Sequence, residues 1–284
     1  MHKKIILLSL IVSFIVIFII ILWPREKYKI NDSLYKIDCY TENEIKSGYG
    51  LLYKITDKGY IITNYHIIKD GNKIILENSL KKIEAKVVNY DEYSDIAVLS
   101  IDKNYASKVI KISDEYKRLY TIDHYDNKEV KSLEYLENTR VIIDLNKDKF
   151  IVDAMKLKGD ITYGNSGGPV FNEDDEILGI VFTKDENYGY ALNIDKSLEI
   201  AKKLEKGKID YPKLPLDIED ENGIVIKSDK DSFKNGDLII SIDNNKVRNI
   251  VELNYYIHKY NIGDSVELII KRKENEYIKK VLLS

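Results

Sequence analysis

The sequence predicts a mostly β chain made of two β-rich units joined by one helix, with a membrane-spanning segment in front. Three observations carry that reading. Short apolar runs alternate with polar turn signals through most of the 284 residues, which suggests closed β architecture rather than a parallel sheet. A stretch carrying Pro212 and Pro215 divides the chain, as a linker does. An apolar run interrupted only by Ser9 and Ser13 opens it.

That run, residues 5–23, follows His2, Lys3 and Lys4. Its length just suits a bilayer's hydrocarbon core, which takes about 20 helical residues. Trp23 stands at its end, where an interfacial aromatic is expected. Trp23, Pro24 and Arg25 follow instead of a small-x-small cleavage site, so an uncleaved anchor is expected over a signal peptide. Lys3, Lys4 and the free amine precede the span, while Arg25 and Lys27 flank Glu26 after it. The balance puts the N-terminus inside and residues 28–284 outside the cell membrane, as a single-pass protein.

Next, residues 47–68 carry short apolar runs around Gly48, Gly50 and the turn Asp57-Lys58-Gly59. Strands are expected at 86–99, 141–152, 177–183 and 188–194. A helix is expected at 198–206, capped by Asp195 or Ser197 and stopped at Gly207. Residues 208–215 read as the linker between a domain at 28–207 and a smaller one at 216–284. In the latter, 223–227 and 236–242 read as strands. Asn249 and Glu252 have capping-box spacing ahead of a helix at 250–260. Residues 265–272 and 277–283 alternate as a hairpin.

The composition excludes some classes of function. The net charge is −3 with acidic and basic residues interleaved, so no basic stripe invites nucleic acid. The single cysteine, Cys39, allows neither an intramolecular disulfide nor a multi-cysteine zinc site. It is expected to be a small buried residue. Only four histidines are present, which makes His66 a strong choice for any general base.

The chemistry is carried by Gly164-Asn165-Ser166-Gly167-Gly168-Pro169. A nucleophilic serine needs a tight turn that exposes its hydroxyl and N–H groups aimed at a developing oxyanion. Glycine permits both. The hydroxyl needs a base, and the base an orienting carboxylate. Thr63-Asn64-Tyr65-His66 follows an apolar strand, and Ser94-Asp95 precedes one, Ile96-Ala97-Val98-Leu99. The order His66, Asp95, Ser166 is far more specific than any one of the three contexts.

These stretches resemble the trypsin-like serine proteases of the HtrA/Deg family, in particular the membrane-anchored members with one protease domain and one PDZ domain. The match extends to Ser47-Gly48-Tyr49-Gly50, to Gly189-Tyr190-Ala191-Leu192-Asn193-Ile194-Asp195 and to Asn235-Gly236-Asp237-Leu238-Ile239-Ile240-Ser241-Ile242. The resemblance covers nearly everything after residue 27. It implies a chymotrypsin-like double β-barrel followed by a small α+β PDZ-like domain. It also implies His66 as base, Asp95 as its orienter, Ser166 as nucleophile, and the N–H groups of Gly164 and Ser166 as the oxyanion hole. Protein or peptide substrates, a role in protein quality control or envelope-stress signalling and a homotrimer are implied too. Tyr28 and Tyr35 are candidates for the trimer contact, with core packing the commoner role. No metal and no cofactor is implied.

The chain departs from the family in places. The Gly-rich segment usual between Asp95 and Ser166 is replaced by charged strands and Lys156-Leu157-Lys158-Gly159-Asp160. The carboxylate-binding loop of the last domain is at best Leu214-Pro215-Leu216-Asp217-Ile218, where Asp217 opposes a peptide's terminal carboxylate. Asp160 lies six residues before Ser166, the offset at which trypsin-like enzymes selective for Lys or Arg carry their pocket acid. A basic preference is one expectation, with Val181, Phe182 and Thr183 as a pocket wall. Neutralisation of Asp160 by Lys156, Lys158 or Lys184, or its exposure, is the other. The alternative function is a protease fold retained as a weak or inactive scaffold that binds partners through its last domain.

Overall fold

The computed structural model describes residues 30–78, 81–122, 129–145 and 148–284. The anchor expected at residues 5–23, and Tyr28, lie outside them. Among the described residues no helix is long and apolar enough to cross a membrane.

The first barrel contains β1 (Leu34–Tyr40), β2 (Ile45–Ile55), β3 (Lys58–Asn64), β4 (Lys73–Glu77), β5 (Lys82–Asp91) and β6 (Ile96–Asp102). It closes in the order β1-β2-β3-β6-β5-β4. Alternating side chains of these strands fill its interior, as the period of two requires. Tyr35, Ile37, Cys39, Leu52, Ile61, Leu76 and Leu99 are all fully buried. Cys39 is therefore a core residue, and burial pushes its thiol up from the ordinary range. Tyr35 is also core, its hydroxyl donating to Tyr105 O at 3.0 Å, so it is not available for a contact between subunits.

The second barrel is built from β7 (Lys111–Ile112), β8 (Leu119–Ile122), β9 (Val130–Leu145), β10 (Asp148–Gly159), β11 (Pro169–Phe171), β12 (Glu176–Lys184) and β13 (Gly189–Asn193). The sheet runs β11-β8-β9-β10-β13-β12-β7, and β11 also pairs with β12, which closes a ring. Two expectations about strands are corrected here. Residues 86–99 are two strands, because the turn at 92–95 separates β5 from β6. Residues 141–152 cross from β9 into β10, whose pairing reaches back to Leu133 and Gly159.

A short helix α1 (Tyr65–Ile68) follows β3, and α2 (Ile194–Leu204) follows β13. The cap of α2 is Asn193, whose side chain accepts from the N–H groups of Asp195 and Lys196. It is thus neither Asp195 nor Ser197, whose hydroxyl instead donates to Asn193 O.

The last unit has β14 (Ile218–Asp220), β15 (Ile224–Ile226), β16 (Leu238–Ile242), β17 (Asn245–Lys246), α3 (Ile250–Ile257), β18 (Ser265–Arg272) and β19 (Asn275–Leu282). Asn249 caps α3 by accepting from Glu252 N at 2.8 Å. The unit has a core of its own around Phe233, Leu253, Val266 and Leu268, and Leu214, Leu216 and Ile218 pack half-buried against it. Asp217 is exposed between them. Asp237 is fully buried but is held by Arg272 through two bonds, at 2.6 and 2.7 Å. The Arg272 guanidinium holds its carboxyl below the usual range, so the buried charge is compensated.

The two units touch along one seam. Tyr255 on α3 donates to Asp153 on β10 at 2.6 Å, and Arg140 on β9 donates to Tyr256 Oη at 3.1 Å. Just past α3, the His258 ring packs 4.3 Å from the Tyr93 ring and 4.4 Å from that of Tyr211.

Candidate active site

The register of β3 against β6 brings His66 and Asp95 together. The strands are antiparallel with Asn64 opposite Ile96. The residues just beyond that pair, His66 on α1 and Asp95 on the turn, therefore emerge at one end of the barrel. Four hydrogen bonds to Asp95 fix the arrangement. Its carbonyl accepts from Tyr65 N and from Asn64 Nδ2, each at 3.1 Å. Its carboxylate accepts from His66 N at 2.9 Å and from His66 Nδ1 at 2.7 Å. Asp95 is buried, 1% exposed, whereas the His66 side chain is 31% exposed. A carboxylate can only accept, so it selects the tautomer with the proton on Nδ1 and leaves Nε2 as a lone pair facing the cleft side.

The serine turn is clamped between the barrels. Gly167 has φ +77, and a Cβ there would sit 1.9 Å from Tyr49 O, so only glycine fits. Gly167 N donates to Val181 O, Val181 N to Gly168 O and Gly168 N to Asn165 O, each at 2.8 Å. From the first barrel, Tyr49 N donates to Ser166 O at 2.8 Å. Thr63 in turn holds Tyr49, its hydroxyl donating to Tyr49 O at 2.6 Å. Gly48 lets β2 pass this close: a Cβ there would lie 2.7 Å from Ser166 O. Buried Asn165 ties the turn to the second barrel by donating to Ile122 O at 2.7 Å and accepting from Thr162 N at 2.6 Å.

His66, Asp95 and Ser166 all line one pocket of about 430 Å³ between the barrels. Val181, Phe182 and Thr183 line it too, as do Ile142, Ile161 and Tyr163. The Ser166 hydroxyl donates to Phe182 O at 3.4 Å, and no hydrogen bond joins it to the His66 ring. Nucleophile–base bonds are often loose before substrate arrives and tighten in the complex. Among the described residues, neither the Gly164 nor the Ser166 N–H donates to a protein acceptor. Gly164 has φ +100, and the place its Cβ would take is open.

Asp160 does not join them. Its side chain is 67% exposed and its carboxylate lies 3.8 Å from Lys131 Nζ. The inward place is taken by the next residue, Ile161, which is 4% exposed and packs against Gly189. An exposed pair of this kind contributes little and offers nothing to a pocket. The partner is Lys131, not Lys156, Lys158 or Lys184. Ile161, Ile142 and Tyr163 as cleft residues, and Thr63 as a brace, are findings of the structure that the sequence does not announce. Thr63 lay within the histidine motif, while β9 had no signal tying it to the cleft. A larger pocket of about 610 Å³ lies at the seam between the units, lined by Arg140, Asp153 and Lys259 among others. It contains no member of the candidate triad.

Residues 48–180 match the model of the trypsin-like peptidase domain. This stretch is thus similar to trypsin-like peptidase domains, and the chain is similar to HtrA-like serine proteases. A serine protease HtrA-like from Staphylococcus haemolyticus is 30% identical across 84% of this chain and 46% of its own length. One from Staphylococcus aureus is 29% identical across 75% of this chain and 33% of its own. The chain thus spans less than half the length of these relatives. Among solved structures, the serine endoprotease from Yersinia pestis covers 90% of this chain and 95% of its own at TM-score 0.62 and 20% identity. The HtrA-type protease AlgW with a decapeptide covers 90% and 96% at TM-score 0.66 and 17% identity. At these identities the family's solved structures speak for the fold.

Proposed function

We propose that this chain is a membrane-anchored, extracytoplasmic serine endopeptidase working by acyl-enzyme chemistry. The observation that carries the reading is the His66–Asp95 pair in the same pocket as a glycine-clamped Ser166. Ser166 Oγ attacks the scissile carbonyl carbon while His66 Nε2 takes its proton. Asp95 holds the imidazole and balances the imidazolium. The Gly164 and Ser166 N–H groups stabilise the tetrahedral oxyanion. The C–N bond then breaks, the amine leaves with the proton from His66, and water repeats the sequence to free the acid.

The substrate class is peptide or unfolded protein, consistent with a solved relative that holds a decapeptide. With Ile161 inside and Asp160 outside, the pocket favours a small or medium apolar residue before the scissile bond rather than Lys or Arg. A peptide-library profile should give Val, Ala or Ile at that position, unchanged in Asp160→Ala. A preference for Lys or Arg that disappears in that variant would overturn the assignment.

The same proposal includes the PDZ-like last domain, a role in quality control or envelope stress, and the homotrimer, which rests on the family resemblance. Residues 5–23 support the membrane anchor by their apolarity. Protease added to intact, wall-stripped cells should digest the chain; full protection until lysis would reverse the topology. The second reading, an inactive scaffold, draws on the Ser166 hydroxyl facing Phe182 O rather than His66.

A further inference from the structure

The turn that carries Asp95 is held by a residue far away in sequence. Asp91 ends β5 and is 5% exposed. One of its carboxylate oxygens, Oδ2, accepts from Ser94 N at 3.0 Å, from the Ser94 hydroxyl, and from the Tyr211 hydroxyl at 2.8 Å. Tyr211 belongs to the stretch between the two units. The turn needs this support. Asp95 sits at φ +55, a left-handed conformation that is uncommon outside glycine. The turn's own backbone bond, Asp95 N to Glu92 O, is long at 3.4 Å. Tyr211 is itself fixed, its ring packing 4.7 Å from Tyr93 and 4.4 Å from His258. Burial, followed by the nearby Asp91 charge, pushes its hydroxyl up, so it stays a donor.

We propose that Tyr211, acting through Asp91, is a positioning residue for the catalytic site: it braces the Ser94–Asp95 turn and thereby the Asp95 carboxylate against His66. The inference rests on the reading of Asp95 as the orienter of His66. A hydroxyl donated from the linker completes a site whose other parts all come from the barrels. Displacement of a catalytic group by about 1 Å can cost on the order of a hundredfold in rate, so the brace acts on kcat rather than on substrate binding.

The test compares Tyr211→Phe, which keeps the ring, with Tyr255→Phe, which removes an exposed hydroxyl bond to Asp153 at the seam without touching the turn. In the full chain, Tyr211→Phe should lower kcat by roughly ten- to a hundredfold with KM nearly unchanged. Asp91→Asn should behave alike, and the double variant should be no worse than the more severe single. Tyr255→Phe should keep wild-type kcat. The downfield proton resonance of the His66 Nδ1–H bonded to Asp95 gives a readout independent of turnover. It should weaken or exchange faster in Tyr211→Phe and stay intact in Tyr255→Phe. An unchanged resonance and kcat in Tyr211→Phe would overturn the proposal, as would equal losses in both variants. Turnover retained by Ser166→Ala would instead overturn the protease reading, and the resonance would still decide the brace.

Discussion

Ser166→Ala should lower kcat by a factor on the order of 10⁶, the scale found when a serine protease loses its nucleophile. The fold should persist. The hydroxyl makes one bond, at 3.4 Å to Phe182 O, and the turn is held by backbone bonds through Gly167, Gly168 and Tyr49. Thermal stability should therefore stay within about 0.5 kcal/mol of wild type. The measurement is hydrolysis of the best peptide from the library profile, alongside thermal unfolding. Activity within about tenfold of wild type would remove Ser166 from the nucleophile's role.

Asp95→Asn should be the next most severe, lowering kcat by about 10⁴ with little change in KM. The two carboxylate oxygens do different jobs, one accepting from His66 N and the other from Nδ1. An asparagine can satisfy only one of these as an acceptor. With its carbonyl oxygen toward His66 N, its NH₂ faces Nδ1 and forces the ring proton onto Nε2, where the lone pair is needed. Asparagine tolerates the left-handed backbone at this position, so the loss is chemical rather than a failure to fold. Turnover near the wild-type value in a folded Asp95→Asn would remove Asp95 as the orienter.

The site was legible where local sequence dictates local geometry. Gly167 could be read because a tight turn that exposes a serine hydroxyl calls for glycine, and its φ is +77. His66 and Asp95 could be read because each adjoins an apolar strand that the β3–β6 register later aligns. Partners set by tertiary contact were not legible. Asp160 and Ile161 are neighbours, and nothing local says which turns inward; the packing of Ile161 on Gly189 decides it. The reach of Tyr211 to Asp91 spans 120 residues and has no periodic signature. In the fold, the polar alternation of β9 and β10 hid their length, because much of the hairpin is solvated rather than buried. The split at residues 92–95 was missed because Ile96 to Leu99 and the end of β5 read as one run.

The central claim is that His66, Asp95 and Ser166 act together as one nucleophilic site. Labelling of the folded full chain with a fluorophosphonate, followed by peptide mapping, tests it most directly. A single adduct on Ser166, formed rapidly in wild type and abolished in His66→Ala, is the predicted result. No adduct on a folded wild-type chain, or an adduct on Ser166 that forms equally fast without His66, would contradict the account and favour the scaffold.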